Sequence, residues 1–142
     1  MKEESLHIIE HEIALLVRLT TAYSPRLGEL DRSEYLLLSE LDNHSPLAIN
    51  VLADKLMLNL STASRQVASL EAKQFIHRFP DPQNGRISLV EITAEGQAIL
   101  RKVQKARYAV YKEVLQDWSN EELEILEANL IRLNQDFKKW SR

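Results

Sequence analysis

Residues Asn50 to Arg86 read NVLADKLMLNLSTASRQVASLEAKQFIHRFPDPQNGR: two short helical patterns separated by a three-residue break, then two β-prone runs. In the first pattern Val51, Leu52, Ala53 and Leu56 fall on adjoining helical faces, and Asn50 is placed to cap the start, which predicts a support helix. The second pattern predicts a helix from about Leu60 to Lys73, where Ala63, Val67 and Leu70 recur at intervals of three and four as a narrow apolar stripe. Its other face carries Ser61, Thr62, Ser64, Arg65, Gln66 and Ser69. A helix face meant only for solubility is usually rich in Lys and Glu. Hydroxyls, an amide and a guanidinium instead suit hydrogen bonding to base edges and phosphates. Asn59 stands at the N-cap position, so free backbone N–H groups and the positive dipole end lie beside Ser61 and Thr62, a setting that favours an anion. The plain alternative is that these small polar residues only cap and fill the first turn.

Beyond the helix, Phe75–Phe79 and Ile87–Ile92 are β-prone and are separated by Pro80-Asp81-Pro82-Gln83-Asn84-Gly85-Arg86. Proline and Asn-Gly between short strands predict a hairpin, with a seven-residue loop projecting beyond the sheet and Arg86 at its return. An arginine on a projecting tip can enter a minor groove. Taken alone it is also an ordinary solvated residue. A helix pair followed by a hairpin is the order of a winged helix-turn-helix.

The flanks are helical. Leu6, Ile9, Ile13, Leu16 and Thr20 step by three and four along a helix from about Ser5 to Tyr23, and Leu123, Leu126, Leu130, Leu133, Phe137 and Trp140 do so at the other end, behind a Ser119/Glu122 capping box. Between them Thr93 can cap a long helix from about Ala94 to Asp117, lined by Ile99, Val103, Ala106 and Val110. Asp31 and Glu34 can cap another, containing Tyr35, Leu36, Leu38 and Leu41. The predicted class is therefore mainly α with a small β-hairpin wing. One domain spans 1–142, with a winged helix-turn-helix unit over 31–93 and dimerisation helices over 1–25 and 94–142. Each amphipathic stripe can pack within one chain or between two. Three such helices around a small reading head favour a homodimer, in which two recognition helices about 34 Å apart meet successive major grooves of a pseudo-palindromic site.

Composition narrows the choices. The chain has 142 residues, 44% of them hydrophobic, enough for one core. It lacks a long apolar stretch or a leader pattern, so a cytoplasmic protein with no membrane partner is expected. Without cysteine there is no disulfide, thiolate zinc site or thiol-based sensing. The net charge of −3 argues against a protein that coats nucleic acid by bulk attraction. Its distribution is uneven: from Leu60 to Arg86 four cationic side chains face two anionic ones, while the remainder carries 14 against 19. A mildly positive head on an acidic body fits site-specific binding.

Several other constellations carry little. His7 and His11 lie four apart on the first helix, a spacing that can hold a metal, but no second ligand pair stands nearby and no metal or cofactor is expected. His44 near Asp42 and Ser45 reads as a turn rather than a triad. Three glycines cannot build a phosphate-cradling loop. The basic run Arg101, Lys102, Lys105, Arg107 and Lys112 is either a solvated face or a surface for DNA phosphates or an acidic partner.

The stretches PLAINVLADKL, NLSTASRQVASLEAKQFI and HRFPDPQNGRISLVEITAEG, in this order and spacing, resemble the MarR (multiple antibiotic resistance regulator) family of dimeric winged-helix transcription factors, and the resemblance covers nearly the whole chain. It implies that Ser61, Thr62, Ser64 and Arg65 present recognition-helix groups to the major groove. It further implies that Arg86 is the wing arginine, that Asp81 steadies it, and that the terminal helices, with Leu6, Ile9, Ile13, Leu123, Leu126, Leu130, Leu133 and Phe137, dimerise. A small-molecule effector of unknown identity, lodged between the dimerisation helices and the winged unit, is implied as well. Some family members sense peroxide through a cysteine; a chain without cysteine does not belong to that group. The sequence departs from the pattern at Met57 and Gln74, where the family often has glycine, and at Asn84-Gly85, which stand for an Asp-Arg pair and leave the wing less charged.

The expected function is a ligand-responsive repressor that reads double-stranded DNA through Ser61, Thr62, Ser64, Arg65, Gln66 and Arg86. The main rival is a winged-helix adaptor that binds protein instead. A small helical enzyme lacks a convergent site.

Overall fold

Side-chain caps open four of the six α-helices among the described residues, at Asp31, Asn59, Thr93 and Ser119. In the computed structural model, which describes residues 2–140, α1 (Glu3–Ala22) runs into a 3₁₀ turn at Ser24–Leu27. Next comes α2 (Arg32–His44), opened by a reciprocal capping box in which Asp31 Oδ1 accepts the Glu34 N–H at 2.8 Å and Glu34 Oε1 accepts the Asp31 N–H at 3.1 Å. A two-residue strand β1 (Leu47–Ala48) leads into α3 (Ile49–Lys55), α4 (Leu60–Ala72), β2 (Ile76–Asp81), β3 (Asn84–Ile92), α5 (Ala94–Val114) and α6 (Asn120–Lys139). The Ser119/Glu122 capping box expected for α6 is present, at 3.1 and 2.8 Å. Two compact units divide inside α5, one ending at Tyr108 and the other beginning at Ala109. No described helix is long and apolar enough to cross a membrane.

The expected cap of α3 is corrected. Asn50 lies inside the first turn, Ala48 is the N-cap, and no side chain caps this end. Residues 47–48 are instead held by pairing with β3, Leu47 opposite Val90 and Ala48 opposite Leu89, so the sheet has three antiparallel strands in the order β1-β3-β2. A two-residue strand has no periodicity to read.

The core of the first unit gathers Leu30, Leu37, Leu38, Leu41, Leu52, Val67, Leu70, Ile76, Val90, Leu100 and Val103. Each such side chain, fully buried, is worth about 1.5–3 kcal/mol. On α2 the buried apolar set is Leu37, Leu38 and Leu41, and Leu36 is exposed. On α5 it is Leu100 and Val103 that are buried, with Ile99 packed at the edge.

The helix-turn-helix is closed by two left-handed residues. At the end of α3, Met57 adopts φ 53°; its N–H bonds Asp54 O at 3.2 Å and the Leu58 N–H bonds Ala53 O at 2.9 Å. At the end of α4, Gln74 adopts φ 65°; its N–H bonds Glu71 O at 2.9 Å and the Phe75 N–H bonds Leu70 O at 3.0 Å. Both are complete Schellman motifs. They fall at the two positions where the sequence departs from glycine.

Candidate nucleic-acid interface

Helix α4 begins as expected, at Leu60 behind an Asn59 cap. Asn59 Oδ1 accepts the Thr62 N–H at 2.8 Å and also the Ser61 hydroxyl at 2.9 Å. The capping role and the outward-facing role of Ser61 thus coexist: its proton goes to the cap, and its lone pairs stay open on an exposed residue. Arg65 is exposed one turn on, its guanidinium 3.5 Å from Thr62 Oγ1. Ala63, Val67 and Leu70 are buried beneath, which sets the opposite face outward.

That outward face is centred on Ser61 and Arg65 and continues through exposed Ala68, Ser69 and Ala72. Ser69 is on the polar face read from the sequence, and counting 3.6 residues per turn away from the Val67 stripe would have added Ala68 and Ala72. Thr62 and Ser64 lie half-buried on its shoulders. Gln66 is turned further in, because its Oε1 is buried and has no hydrogen-bond partner. Its carbonyl is therefore directed at the protein rather than at solvent.

The wing differs from the expected seven-residue loop. The strands continue toward the tip and only Pro82 and Gln83 remain between them. Proline cannot donate to a ladder, and Asp81 Oδ1 accepts the Gln83 N–H at 2.9 Å, a local bond that closes the turn there. Pairing is regular from Ile76↔Ile92 to Pro80↔Ser88, but the next residue, Asp81, pairs with Asn84. Gly85, Arg86 and Ile87 consequently bulge from the ladder, and a bulge re-aims its side chains. Arg86 is exposed on that bulge, in β3 rather than at a loop return, with its N–H on Asn84 Oδ1 at 3.2 Å. Among the described residues no ion pair joins Asp81 to Arg86; the Asp81 carboxylate holds the turn instead.

The basic run on α5 is largely engaged inside the first unit. Arg101 forks onto the Asp42 carboxylate at 3.0 and 3.3 Å, Lys102 meets Glu29 at 2.7 Å, and the Arg107 guanidinium lies 4.1 Å from the centre of the Tyr35 ring. The Lys102 ammonium holds the Glu29 carboxyl below its usual range, through its hydrogen bond first and its charge second. The run read as a solvated or partner-binding face is exposed at Arg101, Lys102 and Lys105, and three of its five cations also tie back to α2 and the bend before it.

His7 and His11 are both exposed on α1, and among the described residues no three His, Cys, Asp or Glu side chains gather as a metal site. Of the expected interface residues on α1, Leu6, Ile9 and Ile13 are open to solvent, and Ile8, Leu15, Leu16, Val17 and Leu19 are open too. On α6 Leu123, Leu126 and Leu133 are half-buried, while Leu130 and Phe137 are exposed.

Comparison with known proteins places this geometry. Residues 30–88 match the model of the MarR family. The uncharacterized HTH-type transcriptional regulator YxaD of Bacillus subtilis (strain 168) is 39% identical over 138 residues, 95% of this chain and 96% of that protein. A MarR family protein from Bacillus stearothermophilus has the same fold, with a TM-score of 0.81 at 20% identity over 98% of this chain and 99% of the other. A mutant MarR from E. coli, complexed with operator DNA, superposes with a TM-score of 0.66 at 21% identity over 86% of this chain and 95% of the other.

Proposed function

We propose that this chain, which belongs to the MarR family of transcriptional regulators, represses as a homodimer on a pseudo-palindromic operator. The observation that carries the reading is the outward face of α4: an exposed Arg65 among hydroxyls, rooted by a buried stripe and opened by an Asn59 cap. A guanidinium so placed suits bidentate contact with guanine, and Ser61, Thr62 and Ser64 suit phosphates or base edges. Gln66 takes a smaller part, since its carbonyl is buried. Arg86, on the wing bulge, reaches for the flanking minor groove. Asp81 acts on it through the turn it closes.

Dimerisation is supported by what the single chain leaves bare. No residue of α1 is buried, although Ile8 is 57% and Leu16 51% exposed, and none of α6 is buried, with Phe137 57% exposed. Apolar surface on this scale marks an interaction site. An effector is supported by one group: Arg107 Nε is buried without a partner beside the Tyr35 ring, a donor that a small carboxylate ligand would satisfy.

Binding measured across salt tests direct reading. Arg65→Ala is expected to cost about 1–3 kcal/mol on a selected duplex and to relax its sequence preference, and Arg86→Ala to lower the salt slope by about one unit. Unchanged affinity and slope in both variants would instead mark a protein-binding adaptor.

A further inference from the structure

We infer that Glu34 and Lys73 are positioning residues for the reading helix, and that through the start of α2, where Arg32 holds α1 and Glu34 holds Lys73, α1 is linked to the C-terminal end of α4. The link starts at Thr20 and Thr21, whose hydroxyls donate to Leu16 O and Val17 O at 2.9 and 2.8 Å, leaving their lone pairs open. Arg32 Nη2 donates to these oxygens at 3.2 and 3.4 Å. Arg32 is the first residue of α2, next to the Asp31/Glu34 capping box. Glu34 uses Oε1 in that box and Oε2 to accept from Lys73 Nζ. It is 7% exposed, the one charged side chain buried among the described residues.

Lys73 is the C-cap of α4, where a cation also complements the helix dipole. The same end is gripped from another side: the Gln74 carbonyl accepts the Thr93 hydroxyl at 2.7 Å, and Thr93 Oγ1 in turn accepts the Gly96 N–H at 3.0 Å in the first turn of α5. Beside the buried Ala63, the side-chain hydrogen bonds given for the N-terminal end of α4, which carries Ser61 and Arg65, are local, to its own Asn59 cap and between Arg65 and Thr62. The buried stripe of Ala63, Val67 and Leu70 seats the helix, and the polar contacts that reach it from other elements act at its far end, through Lys73 and Gln74. A buried carboxylate that loses its cation is costly, so α2 and the end of α4 must readjust together. Such networks transmit position between sites when their arrangement differs between states. The inference rests on DNA reading by α4 and on α1 as a dimer surface.

The probe is a duplex selected from a random library by the unaltered chain; failure to select any duplex counts against DNA reading itself. On that duplex, Glu34→Gln is expected to weaken binding by about tenfold. The direction is diagnostic, because removing a negative charge from an acidic protein would by bulk electrostatics strengthen DNA binding. Lys73→Gln should weaken binding to a similar degree with the salt slope unchanged, the double variant should be no worse than either single, and Lys73→Arg should restore affinity. Arg32→Met is expected to weaken it as well, with Tm recorded so that affinities are compared between folded proteins. Wild-type affinity in Glu34→Gln, or a slope reduced by about one unit in Lys73→Gln as for a phosphate contact, overturns the inference. Wild-type affinity in Arg32→Met overturns its extension to α1.

Discussion

Met57 and Gln74 hold left-handed backbone without being glycine, each at the C′ position of a Schellman motif that shapes the helix-turn-helix. A Cβ in this region costs about 1–2 kcal/mol against right-handed backbone, and glycine loses about 0.5–1 kcal/mol more entropy on folding elsewhere. Both side chains are exposed, so little packing offsets the strain. Met57→Gly and Gln74→Gly are each expected to stabilise the fold by about 0.5–1 kcal/mol, read as a raised urea midpoint at constant m. The sequence exposes both positions as departures from a glycine pattern, and the backbone supplies the reason glycine is favoured there. Gln66 shows the opposite case. Its residue type and spacing suit DNA, but whether a long amide turns inward depends on neighbours that a single helix pattern does not contain.

Among the elements, the caps of α2, α4 and α6 were legible because Asp31, Asn59 and Ser119 stand three residues before their partners. The wing was legible as a hairpin but not in its register. Asn84-Gly85 is a strong turn signal, yet Asp81 and Pro82 close the chain earlier, and the surplus is absorbed as a bulge at Arg86. Ties such as Arg101–Asp42 and Lys73–Glu34 join residues far apart in the chain, which local pattern cannot pair. The start of α5 approaches the residue before β2 so closely that a Cβ on Gly96 would lie 2.1 Å from Phe75 O. Gly96→Ala is expected to destabilise the first unit by about 1–3 kcal/mol, through displacement of backbone rather than of a flexible side chain, and urea unfolding followed by circular dichroism measures it.

The link between α5 and the turn before α2 has an acid signature. Because Lys102 lowers the folded-state pKa of Glu29, the pair contributes above the unfolded glutamate pKa and is lost as pH falls through the folded value. An NMR titration of the Glu29 carboxyl should place it below the usual glutamate range and return it toward that range in Lys102→Met.

At the scale of the whole molecule, the chain has a winged helix-turn-helix in its first unit and terminal helices that each leave large apolar residues exposed, Ile8 and Leu16 on α1 and Leu130 and Phe137 on α6. The heptad-like steps on α1 pick out Leu6, Ile9, Ile13 and Leu16, all of them exposed. They do not show the breadth of the apolar surface: Ile8, Leu15, Val17 and Leu19 lie outside that seam and are exposed as well. A helix apolar on most of its surface is stable in water only when it is surrounded. On the proposed account a second copy of the chain surrounds it, and symmetry in the protein must then appear in the DNA, with half-sites about one helical turn apart. Selection of bound duplexes from a random library, followed by sequencing, tests that correspondence directly. The account expects a recovered site with two-fold symmetry and half-site centres about 10 base pairs apart; a recovered motif without symmetry would contradict the paired reading helices, and no enrichment at all would contradict DNA reading.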